Sequence, residues 1–182
     1  MKFKQQILEL KNKKLVTIRQ AGINDAEKLL NCIKTYVRQS DYIPKLDQEI
    51  NLTINQEREW INSYLISENS LLLIAEYDNE IVGNIDLTGS RSKIMEHTAL
   101  IGMGILKEWR NSGLGTIFLK STIEWARGNP TLELIWLQVY TENELGLNLY
   151  RKMGFEENGI IKNYFKHASK YFDKLTMTIN VK

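Results

Sequence analysis

The sequence predicts a mixed α/β fold, and three observations carry that prediction. The elements expected along the chain run strand, helix, helix, three strands, helix, strand, helix, two strands. Residues 97–140 read as strand, glycine-bearing loop, helix and strand, which should give parallel neighbours joined by a right-handed crossover. "LELIWLQVY" (132–140) is apolar at nearly every position, as expected of a strand buried on both faces.

Each element has its own signal. "LVTIRQA" (15–21) is the expected first strand, and the dozen residues before it read as an extension. In the following segment Asn24 and Glu27 have the spacing of a capping box. Ala26, Leu29, Leu30, Ile33 and Val37 then mark a helical stripe. Residues 40–53 read as a loop broken at Pro44, after which Thr53 opens a second helix with Trp60, Ile61, Tyr64 and Leu65 on one face. "LLLIAEYD" and "EIVGNIDLTG" flank a short turn at 78–80 and predict a hairpin. "HTALIGMGIL" (97–106) is the third strand of this block. Leu114, Ile117, Phe118, Ser121 and Trp125 recur at helical spacing, and "GNP" (128–130) ends that helix. After the buried strand, Asn143 can cap a short helix that Gly154 stops. "GIIKNYFK" and "YFDKLTMTI" are the last two strands.

Composition bounds the function. The chain has 182 residues, 43% of them apolar, which predicts one domain over 15–182 with an N-terminal extension over 1–14. Twenty-four Lys and Arg stand against 22 Asp and Glu, a net charge of +2. That balance argues against nucleic acid and membrane as partners. Cys32 is the single cysteine, so no internal disulfide can form and a reducing compartment is expected. No apolar run approaches the roughly 18 residues of a membrane span. The basic start "MKFKQQILELKNKK" is interrupted by Gln and Glu, unlike a signal peptide, so the cytoplasm is the expected location.

"RNSGLGT" (110–116) sits between a strand and a helix. The first N–H groups of a helix have no backbone partner and its dipole end is positive, so the place suits an anion. Gly113 and Gly115 remove side chains that would hold a phosphate away, and Arg110 adds charge. A tight turn that merely uses glycine is the other reading. Two nucleotide patterns fail. A P-loop needs Lys and Ser or Thr after its last glycine, whereas Gly115 is followed by Thr116 and Ile117. A dinucleotide fingerprint needs a third glycine where Phe118 stands, or Lys107 if counted from Gly102 and Gly104.

"RNSGLGT" resembles the R/Q-x-x-G-x-G/A signature of the GNAT acetyltransferases. "ENELGLNLYRKMGFEENG" (142–159) resembles that superfamily's second signature, N-x-x-A-x-x-L-Y-x-K-x-G-F. The two lie about 30 residues apart across a helix and a strand, as in the family. The element order is similar from about residue 15 to 180. The tail "FKHASKYFDKLTMTI" further resembles the branch holding ribosomal-protein N-terminal and polyamine acetyltransferases.

The resemblance implies a mixed, mostly antiparallel sheet with a splayed parallel strand pair and about four flanking helices. It implies an acetyl-CoA-dependent N-acetyltransferase, an acyltransferase acting on a primary amine such as a protein N-terminus or small polyamine. The alternative is a non-catalytic acyl-CoA-binding domain of the same fold. No metal is implied, and dimers occur in the family. The loop from Arg110 through Asn111, Ser112, Gly113, Leu114, Gly115 and Thr116 would hold the CoA pyrophosphate. Backbone groups of Met103, Gly104 and Ile105 would pair with the pantetheine arm and supply the oxyanion donor. Tyr150 matches the tyrosine of the L-Y pair and would be general acid to the departing thiolate, or would simply pack its helix. Asn143 would touch the cofactor arm, cap its helix, or both.

The expected base is missing. Relatives carry glutamate in a phrase like H-x-A-E-x-G; here the phrase is "HTALIGMG" and Leu100 stands at that place. Glu96, His97 and Asp86 are the candidate bases, and bulk solvent is a further proton acceptor. Strand alternation from Leu100 puts Glu96 on its face and His97 on the other. The loop with Asp41, Tyr42, Asp47 and Glu49 is expected to border the acceptor site, with Asp41, Tyr42 and Asp86 as candidate substrate contacts. Cys32 on its apolar stripe reads as core, and His167 has no partner at metal-ligand spacing.

Overall fold

In the computed structural model, which describes residues 1–182 except the side chain of Asp47, eight strands form one sheet. In chain order the elements are β1 (Gln6–Glu9), β2 (Leu15–Gln20), α1 (Ala26–Arg38), α2 (Ile54–Leu65), β3 (Leu71–Tyr77), β4 (Glu80–Gly89), β5 (Thr98–Ile105), α3 (Leu114–Gly128), β6 (Leu134–Tyr140), α4 (Glu144–Lys152), β7 (Glu156–His167) and β8 (Lys170–Asn180). The strand order is β1-β2-β3-β4-β5-β6-β8-β7. Every adjacent pair is antiparallel except β5–β6, which is parallel. The expected mixed, mostly antiparallel sheet with four helices is thus observed.

The segment expected to be an extension holds β1, which pairs with β2 from Gln6↔Ile18 to Glu9↔Leu15. Leu10 is only 2% exposed and belongs to the core. The carbonyl of Met1 accepts a hydrogen bond from Trp125 Nε1 at 3.0 Å. β1 leaves no periodic signal in the sequence, because each face of its four residues carries one polar and one apolar side chain: Gln6 and Leu8 on one, Ile7 and Glu9 on the other.

Side chains of β3 alternate between the two sheet faces. Leu71, Leu73 and Ala75 join a core with Phe118, Leu119 and Leu114 of α3, while Leu72 and Ile74 join one with Leu29, Leu30 and Ile61 of α1 and α2. A strand buried on both sides needs apolar residues at consecutive positions, which is why "LLLIA" reads as a continuous run. Asp78 and Asn79 have φ of 50° and 63°, the conformation a two-residue hairpin needs between β3 and β4.

Helix starts follow cap chemistry. Thr53 caps α2, and Gln56 reaches back to its N–H at 2.8 Å. At α1 the expected Asn24–Glu27 box is not formed. Asp25 accepts from Gly22 N at 2.7 Å and is held by Arg19 at 2.7 Å, so a single 3-10 turn precedes the helix. The Asp25 carboxylate, held by Arg19 of β2 and by the backbone of Gly22, sets the boundary. Among the described residues no helix is long and apolar enough to cross a membrane.

Candidate active site in the gap between the parallel strands

The parallel pair is short. It runs only through Thr98↔Leu134, Ala99↔Ile135 and Leu100↔Trp136, whereas β5 stays paired with β4 as far as Gly83↔Ile105. Beyond Leu100 the two strands part. Backbone groups of β5 that face β6 there lose their strand partner and line a cavity of about 930 Å³. Met103, Gly104 and Ile105 form one wall, and Gln138 and Val139 of β6 the other.

The glycine loop closes one end. Gly113 has φ of 94° as the residue before α3, and Asn111 has φ of 59°. Only glycine takes the first of these without strain. The first-turn N–H groups of α3 have no helical carbonyl to bind. Arg110, Asn111, Gly113, Gly115 and Thr116 border the cavity. A Cβ on Gly115 would lie 2.9 Å from Leu149 Cδ2, so this glycine also lets α3 meet α4. Two of the predicted loop residues turn inward instead. Ser112 is buried, its Oγ donating to Trp109 O at 2.6 Å and accepting from Leu114 N at 3.4 Å, and Leu114 is fully buried in the core. Arg110 borders the cavity and also braces it. Its Nε donates to Ile105 O and its Nη1 to Gln39 O, each at 3.0 Å, so the guanidinium ties the end of β5 to the end of α1.

Helix α4 brings Asn143 and Tyr150 to the same cavity. Asn143 caps it by accepting from Gly146 N at 3.0 Å, as the sequence suggested. At the other end Gly154, with φ of 89°, donates to Arg151 O, and Phe155 N donates to Tyr150 O, each at 3.0 Å. These two bonds make a Schellman closure, with the Phe155 ring against the Tyr150 ring at 5.8 Å. The closure fixes where Tyr150 points. Burial pushes its phenol up to about 12.

Another wall of the cavity is built by β4, β5 and α1. Asp86 on β4 pairs with Gly102, and Asn84 with Gly104. A Cβ on Gly102 would lie 2.8 Å from Asp86 Oδ1, and one on Gly104 would run into the Tyr36 ring. The two glycines of "GMG" therefore let Asp86 and Tyr36 lie across β5. Asp86 sits on the same face as Leu100, one strand over. Burial pushes its carboxyl up to about 6, with Lys45 partly offsetting the rise. Tyr64 Oη and Thr88 Oγ1 approach its Oδ2 at 3.5 and 3.4 Å.

Glu96 and His97 do not border this cavity. The strand begins at Thr98, so alternation counted back from Leu100 does not reach them. Glu96 is paired with Lys93 at 2.8 Å, and the carbonyl of His97 accepts from Glu133 N and Leu134 N, which starts β6. Asp41 is exposed and does not line the cavity, and Glu49 binds the backbone N–H of Leu46 at 2.6 Å. Asp47 lies outside the described side chains. Tyr42 does border the cavity, packed at 5.8 Å on Tyr140, so the 40–45 loop reaches across to the end of β6. Of the three candidate bases only Asp86, on β4, borders the cavity, beside Glu142 and Glu144 at the start of α4. Tyr36, Trp60 and Lys11, which also border the cavity, were not foreseen. Of these only Tyr36 left a trace, in the glycine opposite it.

The profile of the Acetyltransferase (GNAT) family matches residues 28–155. An N-alpha-acetyltransferase of Sulfurisphaera tokodaii is 22% identical over 168 residues, 88% of this chain and 92% of its own. The L-amino acid N-acetyltransferase AaaT of Escherichia coli is 27% identical over 105 residues, 58% of this chain, and the match spans 65% of that protein's length. Among solved structures, a GNAT-family acetyltransferase from Streptococcus pneumoniae superposes with a TM-score of 0.88 at 27% identity, covering 92% of this chain and 99% of its own. A Salmonella typhimurium structure solved with acetyl-CoA superposes at 0.81 and 17% identity, covering 92% and 94%. The splayed β5–β6 pair, the glycine loop and the matched profile agree: the chain belongs to the GNAT family of acetyltransferases.

Proposed function

We propose that the protein transfers an acetyl group from acetyl-CoA to the α-amine of an amino acid or peptide, by direct attack with both substrates bound. The observation that carries this reading is a half-buried carboxyl, Asp86, in the same cavity as the phenol of Tyr150. The open edge of β5 beyond Leu100 and the N-terminus of α3 fit an extended arm ending in phosphates. When bound, acetyl-CoA supplies a thioester whose acyl group passes to the amine as the thiolate leaves.

Asp86 takes the amine's proton, directly or through water. With its carboxyl near 6, about nine-tenths is ionised at neutral pH. The acceptor's own pKa then decides. Moving a proton to Asp86 costs about 2–3 kcal/mol from an α-amine of reference pKa near 7.8, but about 6 kcal/mol from an alkylamine near 10.4. The difference favours α-amines over polyamines. The names of the relatives, an amino-acid and an N-alpha-acetyltransferase, point the same way. Backbone N–H groups of Met103 to Ile105 that face the gap are the oxyanion donors. Tyr150 donates a hydrogen bond to the thiolate. Complete transfer from a phenol near 12 to a thiolate of reference pKa about 8.5 is uphill by ~5 kcal/mol, so the bond, more than the proton, is what Tyr150 contributes.

A thiol-release assay with acetyl-CoA tests this against free amino acids, short peptides with open and blocked N-termini, a polyamine and an alcohol. Turnover of open α-amines above the polyamine is expected. Activity confined to the alcohol, or acetyl-CoA binding with no amine turned over, overturns the reading. The second result would leave a non-catalytic acyl-CoA-binding domain.

A further inference from the structure

We propose that Lys11, in the turn between β1 and β2, is the cation that holds the CoA pyrophosphate at the glycine loop. The inference rests on the cofactor reading above and adds a residue that neither signature contains.

The arginine of the loop is held in place by backbone carbonyls. Arg110 spends Nε and Nη1 on the carbonyls of Ile105 and Gln39. Lys11 is a second cation beside it. Its backbone N–H donates to Ser112 O at 2.9 Å, which pins the turn to the loop. Its side chain then runs along Gly113. A Cβ on that glycine would lie 3.6, 3.9 and 3.8 Å from Lys11 Cγ, Cδ and Cε, ordinary van der Waals distances for a stem laid flat. Lys11 borders the same cavity as Arg110, Asn111, Gly113 and Thr116. Its Nζ makes no ion pair or hydrogen bond among the described residues.

The neighbouring lysines are engaged elsewhere. Lys13 pairs with Glu9 at 2.9 Å. Lys14 lies over the rings of Tyr77 and Trp109, 4.9 and 4.6 Å from their centroids. The turn itself is tied by Leu10 N to Lys14 O and Lys13 N to Leu10 O, each at 2.9 Å. Lys11 is thus the ammonium that a rigid turn delivers to the first turn of α3. There it adds to the helix dipole and the loop N–H groups in holding an anion.

Calorimetric titration of CoA and of 3′-dephospho-CoA into wild type, Lys11→Met and Lys13→Met tests the proposal. Lys11 is exposed, so its replacement should leave the melting temperature unchanged, and Lys13→Met removes the same net charge two residues away. We expect Lys11→Met to weaken both ligands equally, by roughly three- to tenfold at low salt, with less loss at high salt. Lys13→Met should bind as wild type does. Unchanged affinity in Lys11→Met overturns the proposal while leaving the cofactor reading intact. So does an equal loss in Lys13→Met, which would be a general field effect. A loss seen with CoA but absent with 3′-dephospho-CoA also overturns it, because the 3′-phosphate would then be the partner. Wild type that binds neither ligand overturns the cofactor reading itself.

Discussion

Asp86 and Tyr150 face one cavity, and burial raises both: on the proposed mechanism this suits Asp86 as a base and works against proton release by Tyr150. A carboxyl raised to about 6 is still ionised at neutral pH yet basic enough to take a proton. Since the ionised form is the base, kcat/KM for a peptide acceptor should rise with pH through an acid limb near 6. Asp86→Asn should remove that limb and lower kcat/KM by about 10²–10⁴-fold. A pH-rate profile with the limb intact in Asp86→Asn would show that another group takes the proton. Tyr150→Phe keeps the ring packing on Phe155 and removes only the hydroxyl. Turnover should fall by tenfold or more while the Kd for acetyl-CoA changes less than twofold, since the hydrogen bond strengthens only as the thiolate develops. Steady-state kinetics with calorimetry separates the two. Tyr150 was legible in "NLYRKMGF", but Asp86 was one of three candidates, because sequence spacing does not say which strand lies beside β5.

At the scale of elements, the site depends on where backbones meet. Gly102 and Gly104 failed as members of a nucleotide fingerprint, and the structure gives them a different purpose. They leave room on one face of β5 for Asp86 and Tyr36 to cross it. Gly104→Ala should therefore push the buried Tyr36 ring out of place, lowering stability by about 1–3 kcal/mol and weakening the acceptor side. Denaturant melts check this, and an unchanged midpoint would mean that Tyr36 has room to move. The caps of α2 and α4 were legible because their partners lie three residues away. The start of α1 was not, because Arg19 and Glu76 hold Asp25's surroundings from two other strands. Ser112 and Leu114 were legible as loop residues, but whether their side chains face a phosphate or the core depended on Trp109 and the sheet behind them.

For the whole molecule, the first fourteen residues matter more than their composition suggests. They add an edge strand, place Leu10 in the core and bring Lys11 to the glycine loop. Deleting residues 1–14 should lower the melting temperature, with about 2–5 kcal/mol lost from Leu10 alone. It should also weaken CoA binding. Calorimetry and thermal melts of the shortened chain check both, and a shortened chain as stable as the whole would make β1 an appendage. The sequence by itself determined the alternation of strands and helices, the glycine loop and the helix carrying Tyr150. All of these are written in local spacing, since helix caps, hairpin turns and periodicity act over a few residues. Only the tertiary structure decided that β5 and β6 part after Leu100, that Asp86 lies on the face of Leu100 one strand over, and that Lys11 reaches the loop. Each of these joins residues far apart in the chain, and their meeting depends on sheet order and packing, which no local pattern records.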